Sequence, residues 1–278
     1  MLYLILAIFS SAAITVIMRL SARWVKDGGY TMLAMNYLTC MVVAGCYTGW
    51  DKLFPAHPAL WQSVGMGAFN GVLYLSAFAL LQRSTQKNGV VLSALFMKLG
   101  LLVPMAVSVL VFRETPGTMQ ILGFVLAVGA IVWMNRGGDE SGRFGWGLLL
   151  LLLTGGAADA MSKVFEQLGS SELSSQFLYY TFQSALIFCA GMVVRKKERF
   201  TWGAAVFGVV LGLPNYFSTR FLLLALSEVP AVIAYPTYSV ATILVVTLAG
   251  VLLFRERLEK RRWYALAAIL LAIALLNL

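Results

Sequence analysis

The stretch Asn135-Arg136-Gly137-Gly138-Asp139-Glu140-Ser141-Gly142-Arg143 is the most polar, Gly-rich segment of a 278-residue chain, and it divides that chain almost in half. Five apolar stretches precede it, over 2–20, 30–49, 59–81, 88–112 and 118–135. Five follow it, over 145–166, 174–194, 201–225, 230–254 and 262–278. Each is 17 to 25 residues long. That length spans about 30 Å of hydrocarbon as a helix, whereas a barrel strand needs only about 9–11 residues. A helix also satisfies its own backbone groups in lipid. The reading is an all-α membrane protein of ten transmembrane helices, with a first five-helix repeat at 1–135, a linker at 136–144 and a second five-helix repeat at 145–278. The first apolar run begins at Leu2 with no basic stretch before it, so it reads as a retained span rather than a cleaved signal.

Composition agrees with this reading. The chain is 60% hydrophobic and 12% charged, with mean hydropathy +0.83, against about 45–50% apolar and about 25% charged in soluble domains. A soluble enzyme, a disordered tail, a collagen-like fibre and a disulfide scaffold are excluded. One His argues against a His-based metal site, and Cys40, Cys46 and Cys189 lie in apolar runs, where they read as small hydrophobes. No metal or cofactor is expected. The net charge of +9 does not point to nucleic acid, because the positive residues sit in short loops. The loops after spans 1, 3, 5, 7 and 9 carry 16 Lys and Arg, while those after spans 2, 4, 6 and 8 carry only Lys52 and Arg113. The positive-inside rule places the 16-charge face in the cytoplasm and both termini outside, as in a multi-pass protein of the cell membrane.

The halves resemble each other at a shift of about 142 residues. Val111-Phe112-Arg113-Glu114 ends span 4 and Leu253-Phe254-Arg255-Glu256 ends span 9. Tyr74 and Ser76 match Tyr216 and Ser218; Gly67 and Gly71 match Gly208 and Gly212; Arg19 matches Lys163. Five is odd, so the second copy enters the membrane from the opposite side. This is the inverted repeat of secondary transporters, whose substrate site lies near the midplane between the halves.

On these features the chain resembles the drug/metabolite transporter superfamily, in its ten-helix EamA-type branch. The likeness covers all ten spans and includes the two Phe-Arg-Glu ends, where the family pattern is Gly-Glu-Arg. Here Arg replaces the Gly, and Thr115 and Arg257 follow the two glutamates. The resemblance implies export or exchange of a small metabolite by alternating access. It also implies cytoplasmic termini, opposite to the charge count.

Charges inside spans cost about 2.5–3.5 kcal/mol each at a helix centre, so they point to function. Lys98 lies near the middle of span 4, and Arg220 lies in the last third of span 8; both read as cationic anchors. Asp159 and Lys163, four apart on span 6, read as an ion pair or a proton-coupling site. Glu166 and Arg19 lie near span ends, within reach of the interface. Pro104, Pro214 and Pro236 interrupt spans 4, 8 and 9 and free backbone carbonyls. Around them, Asn70, Tyr74, Asn215, Tyr216, Tyr235 and Tyr238 read as substrate-lining residues, or else as interhelical hydrogen-bond donors. The paired glycines read as close-packing positions, and Trp24, Trp50, Trp61, Trp146 and Trp202 as interface anchors. Span 1 has no acid, and within the spans bases outnumber acids, which leans toward a substrate with an anionic group.

The expected function is a secondary transporter, exporter or exchanger, of a small polar metabolite such as an amino acid or organic acid. Its partners are that substrate, the bilayer and, through Asp159, protons; it acts as a monomer or homodimer. No Walker loop provides for nucleotide-driven transport. A lipid-modifying enzyme would need an acid/base cluster, and the lone His57 has only Asp51 and Lys52 beside it. A non-transporting assembly subunit would need neither Lys98 nor the repeat.

Overall fold

The computed structural model describes residues 1–21, 24–25, 29–88, 96–97, 99–135, 146–254, 264, 267–268, 270–272 and 274–275. Lys98, the linker and the second Phe-Arg-Glu beyond Phe254 fall outside them. All regular structure among the described residues is helical. The long helices are α1 (Leu2–Ser21), α2 (Gly29–Thr48), α3 (Leu60–Asn88), α4 (Leu102–Leu110), α5 (Thr118–Asn135), α6 (Trp146–Leu168), α7 (Ser174–Lys196), α8 (Trp202–Leu226) and α9 (Ala231–Phe254). Further helical residues fall between 264 and 275, in the tenth span. Among the described residues, six helices are long and apolar enough to cross a membrane.

Local sequence explains where several helices stop and start. The Thr201 hydroxyl accepts the Ala204 N–H and caps α8. Lys197 ends α7 in the left-handed region, φ 51°. Two boundaries differ from expectation. α3 runs on to Asn88 rather than stopping at 81, because Gln82 to Lys87 contains no Gly or Pro and its polar residues sustain a helix outside lipid. Span 4 is not one continuous helix: Gly100 and Leu101 form a turn, and α4 has only nine residues. Pro104 therefore stands in the first turn of α4, where its missing N–H is tolerated, and does not interrupt a helix interior. Pro214 and Pro236 do lie inside α8 and α9.

Successive helices alternate in direction, as contacts at the two ends show. On the face of the N-terminus, the Gln176 amide donates to the Lys52 carbonyl and Tyr180 to Leu53, each at 3.0 Å, while the Met1 ammonium meets Glu228 at 3.0 Å. On the basic face, Glu198 accepts the Thr31 N–H at 3.0 Å. α2 packs on α7 and α8, α3 on α6 and α7, α1 on α8 and α9, and α4 on α6 and α9.

Four glycines bring pairs of helices into close approach. A Cβ at Gly67 or Gly71 would meet the backbone of Phe177 or Thr181 on α7, and one at Gly208 or Gly212 that of Met32 or Asn36 on α2. These are packing positions, as expected. Gly100 and Gly156 bring the span 4 turn equally close to α6. The five tryptophans singled out above are exposed, Trp24, Trp61, Trp146 and Trp202 by more than 70%, at or near helix ends, where interface anchors belong. Cys40 and Cys189 are buried, and Cys46 is exposed.

Candidate functional site

A cavity of about 200 Å3 lies among α1, α2, α3, α6 and α8, with Met97 at its edge. Its polar lining is Asn36, Tyr37, Tyr74, Asp159 and Asn215; Met18, Leu33, Phe78 and Leu81 are among its apolar walls. Tyr74, Asp159 and Asn215 stand near the middles of their helices. Met18, Leu33 and Leu81 stand toward the basic face, so the cavity extends from the midplane to that face. The Asn215 amide donates to the Asn36 carbonyl oxygen at 3.1 Å, joining α8 to α2. The Tyr74 and Thr219 hydroxyls are 3.4 Å apart.

The structure divides the sequence-predicted residues. Tyr74, Asn215 and Asp159 line the cavity. Tyr235 instead donates to the Asp159 backbone carbonyl at 2.7 Å, and the Tyr238 hydroxyl lies 2.9 Å from Ser218; these bonds fasten α9 to α6 and α8. Asn70 is fully buried one turn beyond Tyr74, and both its amide atoms lack a partner. Tyr216 and Arg220 lie beyond the cavity, toward the N-terminal face, where Arg220 Nη1 donates to the Tyr216 hydroxyl at 3.0 Å and to Ser175 at 3.2 Å. Lys98 is outside the described residues.

Lys163 corrects a second expectation. Its ammonium pairs with Glu114 at 2.8 Å and Glu166 at 2.7 Å, not with Asp159. In a helix, i and i+4 side chains can meet but need not. Here the loop after α4 brings Glu114 in: Arg113 takes φ 56°, and Glu114 Oε2 also accepts the Val232 N–H in the first turn of α9, at 3.2 Å. The Phe112 ring lies 6.0 Å from the Lys163 nitrogen. The first Phe-Arg-Glu is thus a clasp tying the α4–α5 loop to α6 and α9 on the N-terminal face.

Sequence reasoning missed Asn36 and Tyr37. An Asn in the middle of apolar α2 was the available signal, of the same kind that flagged Asn70. Glu114 was seen as a repeat marker, but its partner Lys163 is 49 positions away and no local pattern links them.

Residues 1–136 match the model of the EamA-like transporter family, and residues 179–269 match that of the Small Multidrug Resistance protein. The chain is an EamA-like member of the drug/metabolite transporter superfamily. This EamA-like transporter family chain is a multi-pass membrane protein. It is 25% identical to an uncharacterized protein of Haemophilus influenzae over 97% of this chain and 95% of that one. It is 28% identical to the probable 4-amino-4-deoxy-L-arabinose-phosphoundecaprenol flippase subunit ArnE of Proteus mirabilis, over 34% of this chain and 90% of that one. A solved crystal structure shares the fold, with TM-score 0.75 at 14% identity over 99% of this chain and 94% of that one.

Proposed function

We propose that this EamA-like chain is a secondary transporter that exports or exchanges an amino acid with an apolar side chain, by alternating access between two inverted five-helix repeats. The observation that carries the substrate class is the midplane cavity, with one carboxylate and a pair of amides in apolar walls. Asp159 suits an ammonium group. The Asn36–Asn215 pair suits a carboxylate. Phe78, Met18 and Leu33 suit an aliphatic or aromatic body. Asp159 is also the carboxylate through which a proton gradient would couple.

The repeat reading is supported by the helix neighbours. Exchanging each helix of one half with its counterpart five later maps α2–α8 onto α3–α7, α1–α8 onto α3–α6, and α1–α9 onto α4–α6, all pairs that pack together. The open cavity and the Lys163 clasp lie on opposite faces, the asymmetry an alternating-access carrier has in one of its end states. The charge count supports a cytoplasmic basic face.

The likeness to ArnE favours a second reading, movement of a phosphoundecaprenol-linked sugar. A cavity of about 200 Å3 among five helices supports the smaller substrate.

The test is uptake of radiolabelled amino acids into proteoliposomes. The Asp159→Asn variant is expected to raise KM for the transported amino acid at least tenfold, since a hydrogen bond to a charged group contributes about 1.5–3 kcal/mol. Uptake of no amino acid by the native protein, or an unchanged KM in Asp159→Asn, would sink the reading.

A further inference from the structure

On α3, Tyr74, Ala77, Phe78 and Leu81 form one stripe, and all four line the open cavity. The shift of 142 residues that matches Tyr74 with Tyr216 and Ser76 with Ser218 carries this stripe to Tyr216, Thr219, Arg220 and Leu223 on α8. There the stripe is shut: Tyr216, Thr219 and Leu223 are all buried. An inverted repeat opens the second stripe to the N-terminal face when the first closes. At one position the two stripes differ in charge, where Phe78 on the basic side becomes Arg220 on the other.

Arg220 has no carboxylate partner among the described residues. Its contacts are the neutral Ser175 and Tyr216 hydroxyls and the Tyr47 ring, 4.7 Å from the guanidinium carbon. It also sits at the first turn of α7, whose N-terminal end adds partial positive charge rather than relieving it. A guanidinium keeps donors for a planar carboxylate even when two neutral acceptors hold it in place.

We propose that Arg220 is the anion-recognising residue of the cavity that opens to the N-terminal face, binding the substrate carboxylate there. The basic-face cavity has Phe78 at the matching place, so the two end states recognise the anionic group differently. This rests on the inverted-repeat reading above.

The probe is leucine, presented to oriented proteoliposomes from either face. In Arg220→Gln the ratio of KM at the N-terminal face to KM at the basic face is expected to rise about tenfold, and in Arg220→Lys, which keeps the charge but not the planar fork, to rise less. An unchanged ratio overturns the proposal. The substrate-independent measurement is labelling of Arg220→Cys, in a Cys46→Ala background, by a membrane-impermeant thiosulfonate. Reaction from the N-terminal face supports the site; protection from that face overturns it. Absence of leucine uptake by the native protein, with this labelling intact, fails the substrate reading and leaves the Arg220 site standing.

Discussion

Lys163 is 3% exposed within a span, between two carboxylates that are each about one-fifth exposed. Removing one partner of a buried ion pair typically costs about 3–5 kcal/mol, mostly because the other charge is left uncompensated. Lys163→Met is therefore expected to lower the melting temperature of the detergent-purified protein by several degrees. Adding Glu114→Gln should recover part of that loss by removing one stranded charge. A single variant that melts like the native protein would show that the clasp contributes nothing to stability. Residues of this kind were half legible: the cost of a Lys in lipid marks it as significant, but its partners depend on how α4 ends.

At the scale of helices, α3 carries both the packing face and the site. Gly67 and Gly71 let α3 lie on the backbone of α7, and Tyr74 and Phe78 then face the cavity. A side chain at Gly71 would strike the Thr181 carbonyl, which belongs to a helix and cannot move aside alone. Overpacking of this kind costs about 1–3 kcal/mol or more. Gly71→Leu is expected to displace α3, lower the melting temperature and abolish uptake; measured side by side, a native melting curve with native uptake would refute the packing role. The helix spans were read well because run length alone limits them. The turn at Gly100 and the extension of α3 to Asn88 were not, since apolar length does not register a break within a span or a polar helix beyond it.

For the whole molecule, the distribution of charge is the basis of the proposed orientation. Lys197 belongs to the loops that carry 16 Lys and Arg in the sequence, and Glu228, which meets the N-terminus, lies at the opposite end of α8. In a Cys46→Ala background, Glu228→Cys is expected to react with an impermeant maleimide on intact cells, and Lys197→Cys only after permeabilisation. The reverse pattern would place the termini in the cytoplasm and set aside the positive-inside count.

The sequence by itself determined the helical membrane class, most of the helix bounds and the likeness in sequence between the halves. These are set by hydropathy, run length and periodicity, which are local. Tertiary structure alone decided that Asp159, Tyr74 and the Asn36–Asn215 pair share one cavity, that Tyr235 and Tyr238 fasten helices, and that Lys163 pairs with Glu114. Those outcomes depend on which faces of non-adjacent helices meet, and close approach at a few glycines sets that geometry.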